Sequence, residues 1–321
     1  VMIAIVPVAG AYVLNFYTPI LIDYRLTQIT PAVALLIAFG LGTFNGRTLL
    51  FLVAVILVYG VANNDTPRPR PPWRAVGMDA ARYAESGDLA LAQVTPSGDW
   101  QVIYYYDRFM PDGVDKRSLR QWQLELGYDD YFANLPPLMA QHDHIWLMHW
   151  SSDLTAFGML RDTGHVQTAL MSEDWLGNDL NVYRFDIVPP EDDARGRFEN
   201  GMILRDAIIH PDQMRVDLWW SADAPLDADY SVSARLLDVN GTLVAQVDSF
   251  PFENQRPTTT WASGEVVYDP RTLTPAEGIS DLPAGTYTVA VSVYLWTPDG
   301  ILNQQTTTAE DSLIVGEWVV D

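Results

Sequence analysis

The sequence predicts a multi-domain chain: transmembrane α-helices, then a small α/β domain, then an antiparallel β-sandwich. Residues 1–67 hold only four charged side chains, which cancel, so the whole net charge of −22 lies on residues 68–321. Helical and strand patterns alternate between 75 and 188, whereas short strand patterns alone recur after 198. We therefore assign 1–66 to transmembrane helices, 67–190 to the α/β domain and 198–321 to the sandwich.

The transmembrane helices are predicted by three apolar stretches, at about 1–17, 28–44 and 48–63. Each would form roughly 24 Å of helix, slightly less than a hydrocarbon core of about 30 Å. A polar turn at Asn45-Gly46-Arg47 predicts that the second and third form an antiparallel hairpin. A buried hairpin in a soluble protein is the alternative, but the scarcity of charge favours a bilayer. Val1 is not an initiator methionine and lies inside an apolar run, so we expect further chain before it.

The α/β domain follows a stiff, proline-rich exit at Thr66–Pro72. A continuous apolar run at His144–Trp150 is typical of a strand buried on both faces. Alternation of helices and strands predicts a mainly parallel sheet. The predicted helices are Met78–Ser86, Asp129–Gln141 and Asp153–Thr163, and the predicted strands are Asp88–Val94, Gln101–Tyr106, His144–Trp150, His165–Leu170 and Leu180–Asp186.

The sandwich is predicted by strand patterns separated by turn sequences such as Val239-Asn240-Gly241 and Pro298-Asp299-Gly300. An acidic linker at Pro189–Arg197 precedes it, and no helical pattern interrupts it. Its predicted strands are Gly201–Ile209, Met214–Ser221, Tyr230–Asp238, Leu243–Phe250, Gly264–Tyr268, Thr286–Trp296 and Ser312–Val320.

The composition excludes several classes of function. The strongly acidic balance of residues 68–321 should repel nucleic acid, so no nucleic-acid partner is expected. The chain has no cysteine, which excludes disulfides, thiolate metal sites and a cysteine nucleophile. It also lacks a G-x-S-x-G motif, a phosphate loop and a dinucleotide fingerprint, and no cofactor is evident.

Several segments resemble those of a known family. Ile22–Leu41, with its Tyr24-Arg25 pair, resembles a late transmembrane passage of family 39 membrane glycosyltransferases, the protein-mannosyltransferase and aminoarabinose-transferase relatives in the GT-C superfamily. In that family the pair usually runs Arg-Tyr, so the order here is a departure. Gly87–Leu91 and Ile145–Trp150 are similar to the extracytoplasmic domain that follows such helices. Asp217–Ala222, Thr260–Asp269 and Leu282–Tyr287 look like a β-sandwich appended to some bacterial members.

The resemblance implies a polyprenyl-phosphate sugar donor, a bacterial plasma membrane location and extracytoplasmic soluble domains. It also implies that the catalytic acidic residues lie in a loop upstream of this segment, so no catalytic residue is assigned here and the fragment is not expected to be active alone. Counting arginines near the helix ends gives the opposite orientation, with the soluble region in the cytoplasm. We give the resemblance more weight, because upstream helices would change that count.

Arg25 and Tyr24 are the candidate lipid-phosphate-binding residues. They lie with Asp23 between two predicted spans, where a guanidinium can bind a phosphate through two hydrogen bonds. An interfacial anchor, or an ion pair between Arg25 and Asp23, is the alternative.

Trp220, Trp261, Glu265 and Asp269 are the candidate carbohydrate-binding residues. Exposed aromatic rings stack on sugars, and the two acids would supply polar contacts. Trp219 and Trp220 are adjacent on a strand and therefore face opposite sides. For Trp261, Trp296 and Trp318 the sequence leaves open whether the ring lies in the core or on the surface. Core packing is the alternative for all of these tryptophans.

Two further clusters have a weaker claim to function, and no metal site is assigned. His142 and His144 share a strand face, but His149 points the other way, which favours a polar connection over a metal site. Asp129-Asp130 resembles the paired carboxylates of glycosyl chemistry but also suits the start of a helix.

Two functions are consistent with these observations. The first is the C-terminal membrane and extracytoplasmic portion of a polyprenyl-phosphate-sugar-dependent glycosyltransferase, with membrane lipid, the lipid-linked donor and a glycan or protein acceptor as partners. The second is a membrane-anchored, non-enzymatic carbohydrate-binding or adhesion module.

Overall fold

The computed structural model describes residues 72–94, 99–175, 178–277, 279 and 282–320. All of them belong to one compact unit, Arg70–Asp321. The predicted membrane helices, with Tyr24 and Arg25, lie outside the described residues. Within the described ranges, no helix has both the length and the apolar character that crossing a bilayer requires.

The first part of this unit is an α/β layer, as predicted. Helix α4 keeps its form despite Pro136 and Pro137, and α3, which was not predicted, begins at the side-chain cap of Ser118. Its helices are α1 (Trp73–Ala81), α2 (Asp99–Phe109), α3 (Leu119–Leu126), α4 (Tyr128–Met139) and α5 (Thr155–Asp162), and its strands are β1 (Leu89–Val94), β2 (Asp115–Ser118), β3 (His144–Trp150), β4 (Val166–Trp175) and β5 (Asn178–Asp186).

The sheet of this layer is mixed, whereas the sequence predicted a mainly parallel one. Its strand order is β2-β1-β3-β5-β4; β1 runs parallel to β2 and β3, but the β3–β5 and β5–β4 pairs are antiparallel. Only two residues separate β4 from β5. Because a connection that short cannot include a crossover, these two strands form a hairpin.

The predicted strand at Gln101–Tyr106 is instead part of helix α2. Val102 and Tyr106 are fully buried four residues apart, and Met110 continues the same spacing. A spacing of four residues places these side chains on one helical face. The strand preference of the three consecutive tyrosines is overridden because only a helix buries this face.

The α/β sheet is covered on both faces. Ala90, Ala92 and Trp146 pack with α1 and α2, while their neighbours along β1 and β3 pack with α3, α4 and α5 on the opposite face. This explains the continuous apolar sequence of β3, whose central five residues are all buried.

The second part is an antiparallel β-sandwich, as predicted. One sheet has the order β12-β10-β9-β13-β14, with β15 also paired to β13, and the other has the order β11-β8-β7-β6. Its strands are β6 (Gly196–Arg197), β7 (Met202–His210), β8 (Arg215–Ala222), β9 (Ser231–Leu237), β10 (Leu243–Ser249), β11 (Val267–Thr272), β12 (Thr274–Pro275), β13 (Gly285–Thr297), β14 (Gly300–Gln304) and β15 (Leu313–Val320).

The four-stranded sheet lies between two cores. Its inner face, including Trp220, packs against the six-stranded sheet. Its other face contributes Trp219 and Tyr268 to the same hydrophobic cluster as α1, α2 and Trp146 of the α/β layer. The α/β layer and the sandwich therefore share a core across this sheet.

Candidate functional site

Two of the predicted carbohydrate-binding residues lie in the sandwich core. Trp220 is fully buried, and its indole nitrogen donates a hydrogen bond to Asp269 Oδ2 at 3.1 Å. Asp269 is also fully buried; it accepts from the amide of Phe252 and pairs with Arg271. Trp219 and Trp220 do face opposite sides, but both faces of their sheet are covered, so neither ring is open to a sugar.

The other two predicted residues lie beside a turn that they stabilise. Trp261 is buried and donates to the carbonyl of Arg256 at 3.2 Å. Glu265 pairs with Arg256 at 2.5 Å and accepts from the amide of Ala262 at 2.9 Å. In this geometry the four residues do not converge on an accessible surface.

The three histidines considered as metal ligands have separate partners. His142 Nδ1 contacts the carbonyl of Gly87 at 2.7 Å, His144 Nδ1 contacts Asp186 at 2.7 Å and His149 Nε2 contacts the carbonyl of Asp153 at 2.9 Å. They do not converge on one position. Asp129 and Asp130 lie in the exposed first turn of α4, where acids favour a helix start.

Trp296 is exposed, whereas the other four tryptophans of the sandwich, Trp219, Trp220, Trp261 and Trp318, are buried. Trp296 lies near the end of β13, with 62% of its surface accessible. The alternate residues Val289, Val291 and Val293 point into the sandwich core, so Trp296 lies on the opposite side of the six-stranded sheet. This side is termed the outer face.

The strand register sets which side chains meet on the outer face. Because directly paired residues lie on the same side of a sheet, the outer face can be described as rows across the strands. Trp296 pairs with Ile301; Tyr294 pairs with Ser231 and Asn303; Ser292 pairs with Ser233, which pairs with Asp248; and Ala290 pairs with Arg235, which pairs with Gln246.

The centre of the outer face is lower than its ends. Ser231, Ser233 and Ser292 are 4%, 6% and 7% exposed, although no hydrophobic core covers them. Trp296 and Ile301, by contrast, remain more than half exposed. The low centre of this face is termed the trough; its serines are shaded by larger neighbours, and the exposed polar side chains beside it are those of Gln246, Asp248 and Asn303.

Tyr294 joins the aromatic end of the trough to its polar side. Its ring meets that of Trp296 edge to face, with the centroids 5.8 Å apart. Its hydroxyl donates to Asp248 Oδ1 at 3.4 Å. Burial, and then the charge of Asp248, raises the pKa of Tyr294, so the phenol stays neutral and keeps its proton on the contact with Asp248.

This arrangement suits the recognition of a polyhydroxylated ligand. An exposed indole offers an apolar surface for stacking, and the exposed side chains of Asn303, Asp248 and Gln246 offer donors and acceptors along the same face.

The sequence contained a signal that Trp296 is exposed, although the alternation pattern alone did not separate it from the other tryptophans. Trp296 directly precedes the turn at Pro298-Asp299-Gly300, and β13 extends there beyond the last pairing with β9 at Tyr294. A large side chain on a strand that outruns its neighbour has fewer residues to cover it. Trp220 has the opposite environment, at the centre of a sheet covered on both faces.

A second polar cluster lies between the α/β layer and the four-stranded sheet. Arg184 is buried with its guanidinium 3.8 Å from the ring centre of Tyr268 and 4.9 Å from that of Trp146. It pairs with the fully buried Asp186 at 2.9 Å. Asp186 also accepts from Trp219 Nε1 at 2.9 Å, and so links the two parts of the unit.

The edge of this cluster brings together three potential metal ligands, Glu85, His210 and Asp217, whose ligand atoms lie within 4.8 Å of one another. Arg215, however, bonds both carboxylates: its Nη2 contacts Glu85, and its Nε donates to Asp217 at 2.8 Å. The guanidinium of Arg215 therefore already neutralises the two carboxylates that a metal ion would need. The group has the character of an ionic contact between the α/β layer and the sandwich.

Comparison with known proteins does not assign a family. The sequence matches no family model and no curated protein. Among solved structures, it is similar to the C-terminal domain of Wzt at 14% identity, over 39% of this chain and 75% of that one, with a TM-score of 0.28. It is also similar to a β-glucuronidase from Ruminococcus gnavus, in complex with D-glucaro 1,5-lactone, at 12% identity over 43% of this chain, with a TM-score of 0.17. The chain spans 21% of the length of that enzyme, and scores this low establish neither a shared fold nor a shared function.

Proposed function

We propose that the β-sandwich recognises carbohydrate through the outer face of its six-stranded sheet. The observation that carries this proposal is the exposure of Trp296 on the same face as the exposed polar side chains of Asn303 and Asp248. An isolated exposed tryptophan would be unremarkable, but here Tyr294 holds the ring and polar groups continue from it across three strands.

The polar groups that flank Trp296 suit sugar hydroxyls in both directions. Asp248 accepts hydrogen bonds, whereas Asn303 and Gln246 both donate and accept them. All three side chains are exposed on the same face as Trp296. Neither Trp220 nor Asp269 contributes, because each is used within the core.

A glycan array probed with the full chain tests this proposal. Trp296→Ala should lose at least about fivefold in affinity for whichever glycans bind, since stacking on an aromatic ring contributes roughly 1–3 kcal/mol. Tyr128→Ala is the matched control, because Tyr128 is 66% exposed on the α/β layer. Binding that survives Trp296→Ala unchanged, or no binding to any glycan, would reject the proposal.

We also propose that this recognition serves a polyprenyl-phosphate-sugar-dependent glycosyltransferase of the family 39 type, of which the chain would form the C-terminal membrane and extracytoplasmic portion. The support is the sequence resemblance, including Tyr24-Arg25 between two apolar stretches. The outer face would then bind a glycan acceptor. In the intact enzyme, Arg25→Ala should raise the KM for the lipid-linked donor, and unchanged kinetics would remove the assigned role of Arg25.

A further inference from the structure

Within the described ranges, Arg235 on the outer face has no acidic partner. It lies on β9, opposite Gln246 of β10 and Ala290 of β13. Its Nε atom is buried and has no hydrogen-bond acceptor within the part of the chain that the structure describes. Being buried, this atom is closed to a ligand, so the Nη groups of the half-buried side chain would make any contact with an external anion.

Other arginines of the sandwich differ from Arg235. Arg215 pairs with Asp217 at 2.8 Å, Arg271 with Asp269 at 2.7 Å, and Arg197 with Asp223 at 2.9 Å. The chain has 41 acidic residues and only 19 lysines and arginines, so acidic partners are abundant. An arginine that remains unpaired in such a chain, on the proposed binding face, is available to an anion from outside.

The acidic groups on the outer face do not neutralise Arg235. Asp248 is two residues beyond Gln246 on β10, and its Oδ1 accepts from Tyr294. Glu317 lies on β15, opposite Thr288. Among the described residues, neither carboxylate forms an ion pair with the guanidinium, which keeps its capacity for two parallel hydrogen bonds to a planar anion.

The distance between Arg235 and Trp296 sets the size of the ligand. Arg235 is aligned with Ala290, which is six residues from Trp296 along β13. Six residues of strand span about 20 Å, which is longer than one sugar ring. A ligand that reaches both positions is therefore an oligosaccharide extended along β13.

We infer that the outer face selects acidic oligosaccharides: one sugar stacks on Trp296, and a carboxylate carried several sugars away binds Arg235. This inference rests on the proposed carbohydrate-binding function and adds the ligand class to it. A carboxylate is favoured because its two oxygens match the fork of the guanidinium. The negative charge of the chain opposes this binding at long range, but at physiological salt charges beyond about 8 Å are largely screened, so the short-range contact with Arg235 supplies the preference.

The test compares neutral oligosaccharides with uronate-containing ones of equal length, titrated against the full chain at fixed ionic strength. Wild type should bind the acidic series roughly tenfold more tightly, which Arg235→Gln should abolish while leaving neutral binding unchanged. Trp296→Ala should weaken both series. Arg161→Gln, which changes an exposed arginine on α5, is the matched control and should keep the preference.

The outcomes separate the two proposals. Equal binding of both series by wild type, or a preference that persists in Arg235→Gln, overturns the ligand class but leaves carbohydrate binding in place. No binding of either series overturns both. Arg235→Lys gives a further check, because a bidentate contact should be weakened by lysine even though the charge is kept.

Discussion

Asp186→Asn tests whether the buried ionic cluster holds the α/β layer to the sandwich. Asp186 is fully buried at the end of β5 and bonds Arg184, His144 and Trp219 at 2.7–2.9 Å, with a further contact from Thr168. Burial alone would raise its pKa, but the charge of Arg184 and the contact with His144 lower it well below the usual range. The carboxylate is therefore ionised, and the asparagine removes this charge with little change in shape.

The expected cost follows from the buried arginine that is left behind. Breaking a buried ion pair by changing one partner costs about 3–5 kcal/mol, since the remaining charge is uncompensated. For a cooperative unit of this size, each kcal/mol shifts the Tm by roughly 2–4 °C, so the variant should melt roughly 6–20 °C below wild type.

Thermal unfolding of the full chain, followed by circular dichroism, measures this shift. Glu253→Gln is the control, because it breaks the Arg82–Glu253 pair, whose side chains are 58% and 34% exposed. That exposed pair should contribute no more than about 1 kcal/mol. If Asp186→Asn melts within 2 °C of wild type, or no lower than Glu253→Gln, the cluster is not what couples the two parts.

Three further predictions concern the same unit. Burial lowers the pKa of His210, but its contacts with Asp217 and Glu85 outweigh this and raise the pKa from 6.5 to about 9. Because the pKa in the folded state exceeds that in the unfolded state, His210 should stabilise the fold fully below about pH 6.5 and lose this effect as the pH rises through about 9. The free energy of unfolding, measured with denaturant, should therefore fall more between pH 7 and 10 for wild type than for His210→Gln. Trp220→Ala should cost about 3–5 kcal/mol in the same assay, whereas Trp296→Ala should stay within about 0.5 kcal/mol. Residues 198–321 expressed alone should bind a hydrophobic dye more strongly than 70–321, since Trp219 and Tyr268 lose the partners they have in the shared core; equal dye binding would contradict that core.

The strands of the sandwich could be predicted from the sequence because their determinants are local. Alternation along Tyr287–Tyr294 places every second residue inward, and turn residues such as Asn240-Gly241 mark the strand ends. All seven predicted sandwich strands are present, with ends shifted by a few residues. The short strand Gly300–Gln304 was not predicted, because most of it remains exposed and its sequence does not alternate.

The α/β layer was less predictable because several of its elements depend on what packs against them. Residues 101–106 have the composition of a strand, yet burial of Val102 and Tyr106 on the sheet selects a helix. The direction of β5 is set by its hairpin with β4, and the alternation of helices and strands does not predict a hairpin at this point. Local preference is weak where a long-range contact offers a larger buried area.

The sequence by itself determined the order of an apolar segment, an α/β layer and a β-sandwich, because charge distribution and hydrophobic period are properties of neighbouring residues. Only the tertiary structure decided which tryptophans are available to a ligand. Trp220 and Trp296 occupy similar strand patterns, but one lies on a sheet covered on both faces and the other at the open end of an uncovered face. Exposure depends on which layers stack together, and residues distant in the sequence determine that stacking.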